Sequence, residues 1–368
     1  MAASTDSDAG GPTLPGPRLP IELTTMILQS LRGDFKTLAS TALVNKALCE
    51  ESRRLLYRNV GHPSRKRSPR ADTIALLINP LLSKYVHSYT LAHAQMMAPP
   101  VQHTAPLAPG PALDAMVNLE HLDLILYRRI PNNFLEGCLF QLESFSWIDC
   151  AFGWEKIYCF FQTQKKLRKL EFDASDGVGV VPSFPLPACP NLQYLRSTPD
   201  IIQATLPGRN ITILGFVVID LPEEEIELNF DHLSKELSQI KALSFLATPE
   251  SPRFSSISKD LYKNLQYLEM FPADSDVLET LPQFISLVGL IFPTHPEMDD
   301  DLSYLQAPEE TGRFFVLCPT LQFIDIQAND HPIDRKFERW VPGTQRDVGK
   351  KLSEECFFSS HIEDHLKC

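Results

Sequence analysis

The residue types with the clearest chemical potential stand near the end of the sequence. Cys356, His361, His365 and Cys368 follow one another as Cys-x4-His-x3-His-x2-Cys, and thiolate and imidazole groups are ligands that zinc prefers. This spacing matches no recognised zinc framework, and a chain terminus is where order is least expected. The sequence therefore predicts no metal site and no bound cofactor.

No other motif indicates catalysis. The sequence has no glycine-rich phosphate loop, no Gly-x-Ser-x-Gly elbow and no His-Glu-x-x-His, and Gly177-Val178-Gly179 lacks the setting of strand, turn and helix that phosphate binding needs. Eight cysteines are scattered along the chain, but a cysteine nucleophile needs a basic neighbour that lowers its pKa. We expect a protein without catalytic residues. An enzyme that uses one of the cysteines is a remote alternative.

Composition and charge indicate an intracellular soluble protein. The net charge is -12, and because residues 1–70 carry +5, the remainder carries -17, which disfavours nucleic acid as a partner. The cysteines form no Cys-x-x-Cys pair, which is typical of reduced thiols. Residues 1–17 resemble a disordered tail rather than a signal peptide, and the longest apolar stretch, Ile211 to Leu221, is too short to span a membrane. These features predict a cytoplasmic or nuclear location.

The elements nearest the N-terminus are three short helices. Pro20 suits a first helical turn, Leu23, Ile27 and Leu31 recur every four residues as an inner apolar stripe, and Gly33 ends the helix. Asp34 is placed to cap a second helix, and a third starts near Asn45. This pattern leaves Ile21, Met26 and Leu28 outside the stripe, where they can contact another protein.

The segment resembles an F-box, the helical module that docks a protein onto the adaptor of a cullin-type ubiquitin ligase. The resemblance rests on the Leu19-Pro20-x-Glu22 start, the Leu43-Val44-Asn45-Lys46 segment and the ending Leu55-Leu56-Tyr57-Arg58. It implies a Skp-family adaptor as partner, and through it a cullin-RING ligase. The adaptor-binding residues that it implies are Leu19, Pro20, Ile21, Glu22, Met26, Ile27, Leu28, Leu31, Leu38, Leu43 and Val44. An ordinary capped helical bundle is the alternative.

A Leu-x-x-Leu-x-Leu-like pattern recurs after the helices. It starts ten times, at Val86, Leu119, Leu142, Leu167, Leu192, Ile211, Ile240, Leu265, Leu287 and Leu321, at intervals of 33, 23, 25, 25, 19, 29, 25, 22 and 34 residues. Such intervals are typical of leucine-rich repeats, in which each unit is one strand and a returning helix or loop. The unit at Ile211 is the weakest, and the register at Leu287 is ambiguous. A proline-rich insertion (residues 96–111) and an acidic insertion (residues 297–312) account for the two longest intervals.

The sequence thus predicts an α/β protein: a three-helix F-box followed by an irregular leucine-rich-repeat solenoid with a parallel sheet. We expect a disordered tail (1–17), the F-box-like module (18–60), a basic linker (61–72), the solenoid (73–340) and a C-terminal tail or cap (341–368). A generic α/β domain and a helical solenoid are the alternatives. The basic run from Arg65 to Arg70 is interpreted as a solvated linker, with a nuclear import signal as the alternative.

Alternation along each strand places every second side chain on the concave face of such a solenoid, where a target would bind. The residues predicted to bind the target are His121, Asp123, Lys169, Glu171, Tyr194, Arg196, Tyr267, Glu269, Phe271, Phe323 and Asp325. The aromatic residues could instead pack against the C-terminal tail. Together with the F-box resemblance, this face indicates the substrate receptor of an SCF-type ubiquitin ligase, whose target protein the sequence does not identify. A repeat scaffold acting outside ubiquitination is the alternative.

Overall fold

The computed structural model describes residues 19–61, 69–92, 110–125, 134–148, 154–172, 184–185, 187–218, 230–247, 263–270, 280–293, 308–327, 336–342 and 347–351. The chain divides into two compact units, Met1–Asn59 and Val60–Cys368. Phe271, the Cys/His string at 356–368, most of the proline-rich and acidic insertions and residues 65–68 of the basic run lie outside the described residues.

The first unit contains three helices, α1 (Ile21–Ser30), α2 (Phe35–Thr41) and α3 (Lys46–Leu56). The carboxylate of Asp34 accepts from the backbone amide of Thr37 at 3.0 Å, and the side-chain oxygen of Asn45 accepts from the amide of Leu48 at 2.9 Å. Both bonds satisfy amides that have no partner within their own helix, so α2 and α3 begin where the sequence predicts.

The core of this unit is small. It consists of Leu28, Leu38 and Leu55, with three partly buried residues packed against them, Leu31, Leu48 and Leu56. The prediction that Leu23 and Ile27 face inward is wrong, because both are exposed, and so is the outer position predicted for Leu28, which is only 2% exposed. Apolar residues surround most of α1, so that a four-residue period fits more than one face, and packing against α3 selects Leu28 and Leu31.

The second unit is built on one thirteen-stranded sheet whose strands lie in chain order. The strands are β1 (Asn59–Val60), β2 (Ser88–Ala92), β3 (His121–Ile125), β4 (Ser144–Ile148), β5 (Lys169–Phe172), β6 (Tyr194–Ser197), β7 (Ile213–Val218), β8 (Ala242–Ala247), β9 (Tyr267–Met270), β10 (Gly289–Phe292), β11 (Phe323–Gln327), β12 (Lys336–Trp340) and β13 (Asp347–Lys351). All pairs from β2 to β11 are parallel. Parallel strands in chain order are the architecture of a leucine-rich-repeat solenoid, which confirms the parallel-sheet part of the predicted fold and excludes a helical solenoid.

A repeated backbone contact sets the register between neighbouring strands. The carbonyl of His87 accepts from the amides of both Glu120 and His121, at 2.8 and 2.9 Å. The same double contact recurs at every step to Val288, whose carbonyl accepts from Gln322 and Phe323 at 2.8 and 3.3 Å. The register is therefore the same at each repeat, and equivalent side chains form continuous columns.

One of these columns runs through the core along the whole stack. At each strand an aliphatic or aromatic residue three positions after the repeat start is fully buried, as are Leu122, Phe145, Leu170 and Leu268. A single repeat cannot bury its apolar residues without its neighbours, so the stack supplies the core. Leu287 and Leu290 are buried whereas Ile285 is exposed, which resolves the ambiguous register in favour of Leu287.

Within the described residues, the segments between the strands contain short helices. The helices among them are α4 (Pro69–Ile78), α5 (Gly110–Asp114), α6 (Trp154–Thr163), α7 (Pro199–Thr205), α8 (Ser234–Leu237) and α9 (Pro308–Leu317), with 3-10 helices at Pro80–Tyr85, Asp231–Leu233 and Leu281–Gln283. Helix α4 starts within the predicted basic linker. The two antiparallel strands β12 and β13 follow β11, so part of the predicted C-terminal tail belongs to the sheet.

The shortest interval, from Leu192 to Ile211, contains a buried arginine. The guanidinium of Arg209 donates to the carbonyls of Pro185 (2.7 Å), Ala188 (3.2 Å) and Thr205. Burial lowers the pKa of this guanidinium, and the carbonyl oxygens replace the water that it has lost. Arg209 therefore ties the segment before β6 to the end of α7.

Side chains just before the repeat starts make a second set of contacts. The amides of Asn118, Asn191 and Asn264 donate to the carbonyls of Lys84, Lys165 and Ser238 in the preceding repeat, at 2.7, 2.8 and 2.7 Å. Each asparagine lies one position before the start of its own repeat. Each accepting carbonyl lies two positions before the start of the preceding repeat. These bonds fasten one repeat to the next outside the sheet.

The asparagine contacts predict a stability difference between two equivalent positions. Replacing Asn191 with alanine removes its bond to the Lys165 carbonyl, and we expect the free energy of unfolding to fall by about 1 kcal/mol. Asn210 stands at the same place in its repeat and makes no side-chain hydrogen bond within the described residues, so Asn210→Ala is the matched control, with little expected change. Urea denaturation of both variants measures the difference. Equal losses at the two positions would contradict the role of the bond.

Candidate docking surfaces

The first candidate surface is the apolar exterior of the helical unit. Leu19, Ile21, Met26, Ile27, Leu43 and Val44, which are predicted to bind an adaptor, are exposed. Leu43 and Val44 between α2 and α3 are 87% and 67% exposed, whereas isolated surface leucines and valines are usually partly covered. Pro20 and Glu22 are exposed beside them, Leu31 is half-buried, and Leu28 and Leu38 belong to the core. Eight of the eleven predicted residues are therefore exposed on this unit.

The second candidate surface is the concave face of the sheet, where the middle position of each strand forms one polar column. From β2 to β11 this column reads Thr90, Asp123, Ser146, Glu171, Arg196, Gly215, Ser244, Glu269, Ile291 and Asp325. Three of its carboxylates accept from a hydroxyl on the preceding strand. Thr90 donates to Asp123 at 3.2 Å, Ser146 to Glu171 at 3.2 Å and Ser244 to Glu269 at 3.0 Å.

Glu171 is a carboxylate of the column with partners on both sides. In addition to the Ser146 bond, its side chain accepts from the Tyr194 hydroxyl at 3.0 Å and lies 3.4 Å from the Lys169 ammonium. Burial raises its pKa, but the charges of Lys169 and Arg196 and the two hydroxyl bonds outweigh burial, so the pKa lies below its ordinary value. Glu171 therefore stays ionised and holds three strands together.

Asp123, two strands away from Glu171, behaves in the opposite way. Burial and the negative charge of Glu171 raise its pKa, and the charge of Lys169 and the hydrogen bond from Thr90 offset only part of that shift. Asp123 is half-buried and Thr90 is its only hydrogen-bond partner among the described residues. Its ionised form is therefore disfavoured in the folded protein.

On β11, the last parallel strand, the partner of the Asp325 carboxylate is an arginine rather than a hydroxyl group. The Arg339 guanidinium on β12 donates twice to the Asp325 carboxylate, at 2.7 and 2.6 Å. Its central carbon lies 4.1 Å from the centroid of the Phe323 ring, so the guanidinium also stacks on that ring. This two-pronged geometry is the strongest ion pair that arginine forms with a carboxylate. The pair joins the first antiparallel strand to the end of the solenoid.

A glycine makes room for aromatic residues in the neighbouring column. A methyl group on Gly289 would lie 2.5 Å from the Phe323 ring and 3.0 Å from the Tyr267 ring, because these rings close over β10 at a centroid distance of 6.4 Å. Tyr194, Ile213, Ala242, Ile291 and Phe337 form a buried apolar cluster beside Tyr267. The C-terminal half of the concave face is therefore a packed surface.

These contacts correct the prediction that the concave positions face solvent. Glu171, Tyr194, Glu269, Phe323 and Asp325 are buried. Among the predicted target-binding residues, His121 is exposed, and Asp123, Lys169, Arg196 and Tyr267 are half-buried. The pairing of Asp123, Glu171 and Glu269 with a hydroxyl one repeat earlier was visible in the sequence once the repeat starts were aligned. The alternation argument missed it because alternation specifies a face but not its partners.

Two further observations concern metal ligands and cysteine thiols in the described part of the chain. No group of three or more potential metal ligands occurs in the described part of the chain. Burial raises the pKa of both the Cys138 and the Cys189 thiols to about 12, so these two thiols are protonated near neutral pH and are poor nucleophiles. Within the same residues no helix is long and apolar enough to cross a membrane.

Comparison with known proteins adds no family assignment. No family model matches the chain, and no curated protein matches it. Among solved structures, a chain of the Drosophila Toll–Spatzle complex is 13% identical to this chain at a TM-score of 0.33. The match covers 60% of this chain and 31% of that chain. A leucine-rich-repeat protein of Leptospira interrogans is 15% identical to this chain at a TM-score of 0.27. The match covers 67% of this chain and 62% of that protein chain. The chain thus spans less than two thirds of either protein.

The opposite shifts of Glu171 and Asp123 predict opposite effects of neutral substitutions. A carboxyl whose pKa is lowered by folding stabilises the protein when ionised, and this contribution is lost as the pH falls through the folded-state pKa. We expect Glu171→Gln to lower the free energy of unfolding by about 2 kcal/mol at neutral pH. We expect the deficit to shrink at acidic pH, where wild-type Glu171 is protonated as well.

Asp123→Asn is the matched variant, and we expect it to be neutral or to stabilise the protein by up to about 1 kcal/mol at neutral pH, because it removes a disfavoured charge. Urea denaturation of both variants at neutral and acidic pH measures the two effects. A greater loss from Asp123→Asn than from Glu171→Gln would show that the assignment of the two shifts is wrong.

The tight contact at Gly289 predicts a steric effect. Gly289→Ala places a methyl group against the buried Phe323 ring and the half-buried Tyr267 ring, and we expect a loss of about 2 kcal/mol. Gly312 in α9 has no atom within 4 Å of its added methyl group, so Gly312→Ala should stabilise by about 0.5 kcal/mol through helix propensity. Thermal or urea denaturation compares the two variants, and a neutral Gly289→Ala would contradict the packing of Tyr267 and Phe323 over β10.

Proposed function

We propose that this protein is the substrate-recognition subunit of an SCF-type ubiquitin ligase. The helical unit docks onto a Skp-family adaptor, which links it to a cullin-RING ligase, and the solenoid binds a target protein. Such a receptor needs no catalytic group, because it acts by raising the local concentration of its target near a ubiquitin-charged enzyme. In this role the protein acts in the cytoplasm or the nucleus.

The exposed apolar residues of the helical unit carry the proposal. Half of the fourteen large apolar side chains that are exposed in the described residues lie between Leu19 and Val44, a stretch of 26 residues. They are Leu19, Ile21, Leu23, Met26, Ile27, Leu43 and Val44. Exposed apolar residues at this density are typical of a protein interface rather than of a free surface. The resemblance to an F-box supports an adaptor as the protein that covers them.

The small core of the unit supports the same interpretation. Three buried leucines, Leu28, Leu38 and Leu55, supply little stabilisation, and helical modules of this size usually depend on a partner. An adaptor that covers Met26 and Val44 would remove apolar surface from water at about 25 cal/mol per Å². Docking and stabilisation of the unit are therefore expected to occur together.

Co-purification with a Skp-family adaptor tests the proposal. We expect the wild-type chain to capture the adaptor and a variant with Met26→Asp, Leu43→Asp and Val44→Asp to lose at least tenfold in capture, because the charges must be desolvated at the interface. All three residues are exposed, so the core stays intact, and circular dichroism checks this.

The matched control is Ile285→Asp with Val316→Asp, which adds charge at two exposed apolar positions of the solenoid and should leave capture unchanged. Failure of the wild-type chain to capture the adaptor would favour the second candidate, a repeat scaffold that acts outside ubiquitination. An equal loss of adaptor capture in the control variant would show that capture depends on nonspecific apolar contacts rather than on the helical unit.

A further inference from the structure

One edge of the solenoid carries a charge opposite to that of the whole protein. At each repeat this strand-start edge consists of four residues. They are the two residues before the repeat start, the repeat start itself and the residue after it. From the repeat of β5 to that of β11 it contains no aspartate or glutamate, although the chain has 46 acidic and 34 basic residues. Five exposed cations occupy it: Lys165, Lys166, Arg168, Lys241 and Lys263.

The fold rather than the sequence order places these cations together. Arg168 and Lys241 are 73 positions apart in the chain, but both stand one position after a repeat start, in the column whose carbonyls accept the double backbone contact. Neighbouring strands lie about 4.8 Å apart, so the cations from β5 to β9 span about 19 Å. We define the cationic edge as these five residues.

Three of the five side chains of this edge have no partner within the described residues. Lys166, Arg168 and Lys241 are exposed, and none of them makes a side-chain hydrogen bond or ion pair within the described residues. Lys165 donates to the Pro187 carbonyl at 2.8 Å and keeps its charge toward solvent. The half-buried Lys169 and Tyr267, at the starts of β5 and β9, adjoin the same edge.

We propose that the cationic edge binds an extended, acidic segment of the target protein. The inference rests on the proposed function and deepens it, since it names the chemistry of the target. An extended chain rises about 3.3 Å per residue, so about six residues cover the edge. Opposite charges along such a span raise the rate at which the two proteins associate, and they fix the register of the acidic segment on the edge. A peptide is favoured over nucleic acid because the proposed function gives the solenoid a protein as its target.

Fluorescence anisotropy of the full-length chain with a labelled eight-residue peptide of glutamate and aspartate tests the inference. We expect binding that weakens as salt is raised, because these charges are exposed to solvent. Replacing Lys166, Arg168 and Lys241 with alanine should weaken binding about tenfold, at about a factor of two for each lost cation.

Two control variants separate the edge from net charge. Lys36→Ala, Lys46→Ala and Arg53→Ala remove the same charge from exposed positions of the helical unit and should leave binding within about twofold. Lys166→Arg, Arg168→Lys and Lys241→Arg keep the charge and should retain binding. Equal weakening by both alanine triples, absence of salt-dependent binding, or tighter binding of single-stranded DNA than of the peptide would each overturn the inference.

Adaptor capture by the same variants distinguishes the two proposals. A chain that binds the peptide but captures no adaptor contradicts the ligase role and leaves the cationic edge standing. Conversely, a chain that captures the adaptor and ignores the peptide overturns the acidic-target inference alone.

Discussion

Every feature of the solenoid depends on one backbone contact, the carbonyl that accepts from two successive amides of the next repeat. This contact recurs from His87 to Val288 and holds the strands in one register. A shift of one residue would move every apolar side chain from the core to the concave face, because side chains alternate along a strand. The apolar columns, the polar column and the cationic edge are therefore consequences of the same alignment.

The polar column shows how a concave face can be buried without losing its charges. Each buried carboxylate has a donor on an adjacent strand: Ser146 for Glu171, Ser244 for Glu269 and Arg339 for Asp325. Bonds across strands compensate for the lost hydration, and the penalty for leaving such a group without a partner is large. The column thus stabilises the register that creates it. It also leaves less of the concave face for a target than alternation suggests.

The two units show different ways of presenting a surface. The helical unit has too few residues to bury its apolar side chains, so Met26, Leu43 and Val44 stay in contact with water. The solenoid buries its apolar residues by stacking and presents charge at its edge instead. Apolar contact is strong but indifferent to sequence, whereas charge placed at a fixed spacing adds selectivity. The proposed division between a docking unit and a recognition unit follows from this difference.

The sequence by itself determined the repeat starts, the parallel sheet and the helix caps. These features depend on local patterns, such as the spacing of leucines or an aspartate three residues before Thr37. Only the tertiary structure decided that Leu28 rather than Leu23 enters the helical core, because α1 is apolar on several faces and the choice depends on what packs against it. The same holds for Glu171, Tyr194 and Asp325, whose burial depends on partners on the adjacent strand. Contacts of this kind join residues that are distant in the chain, and no local pattern specifies them.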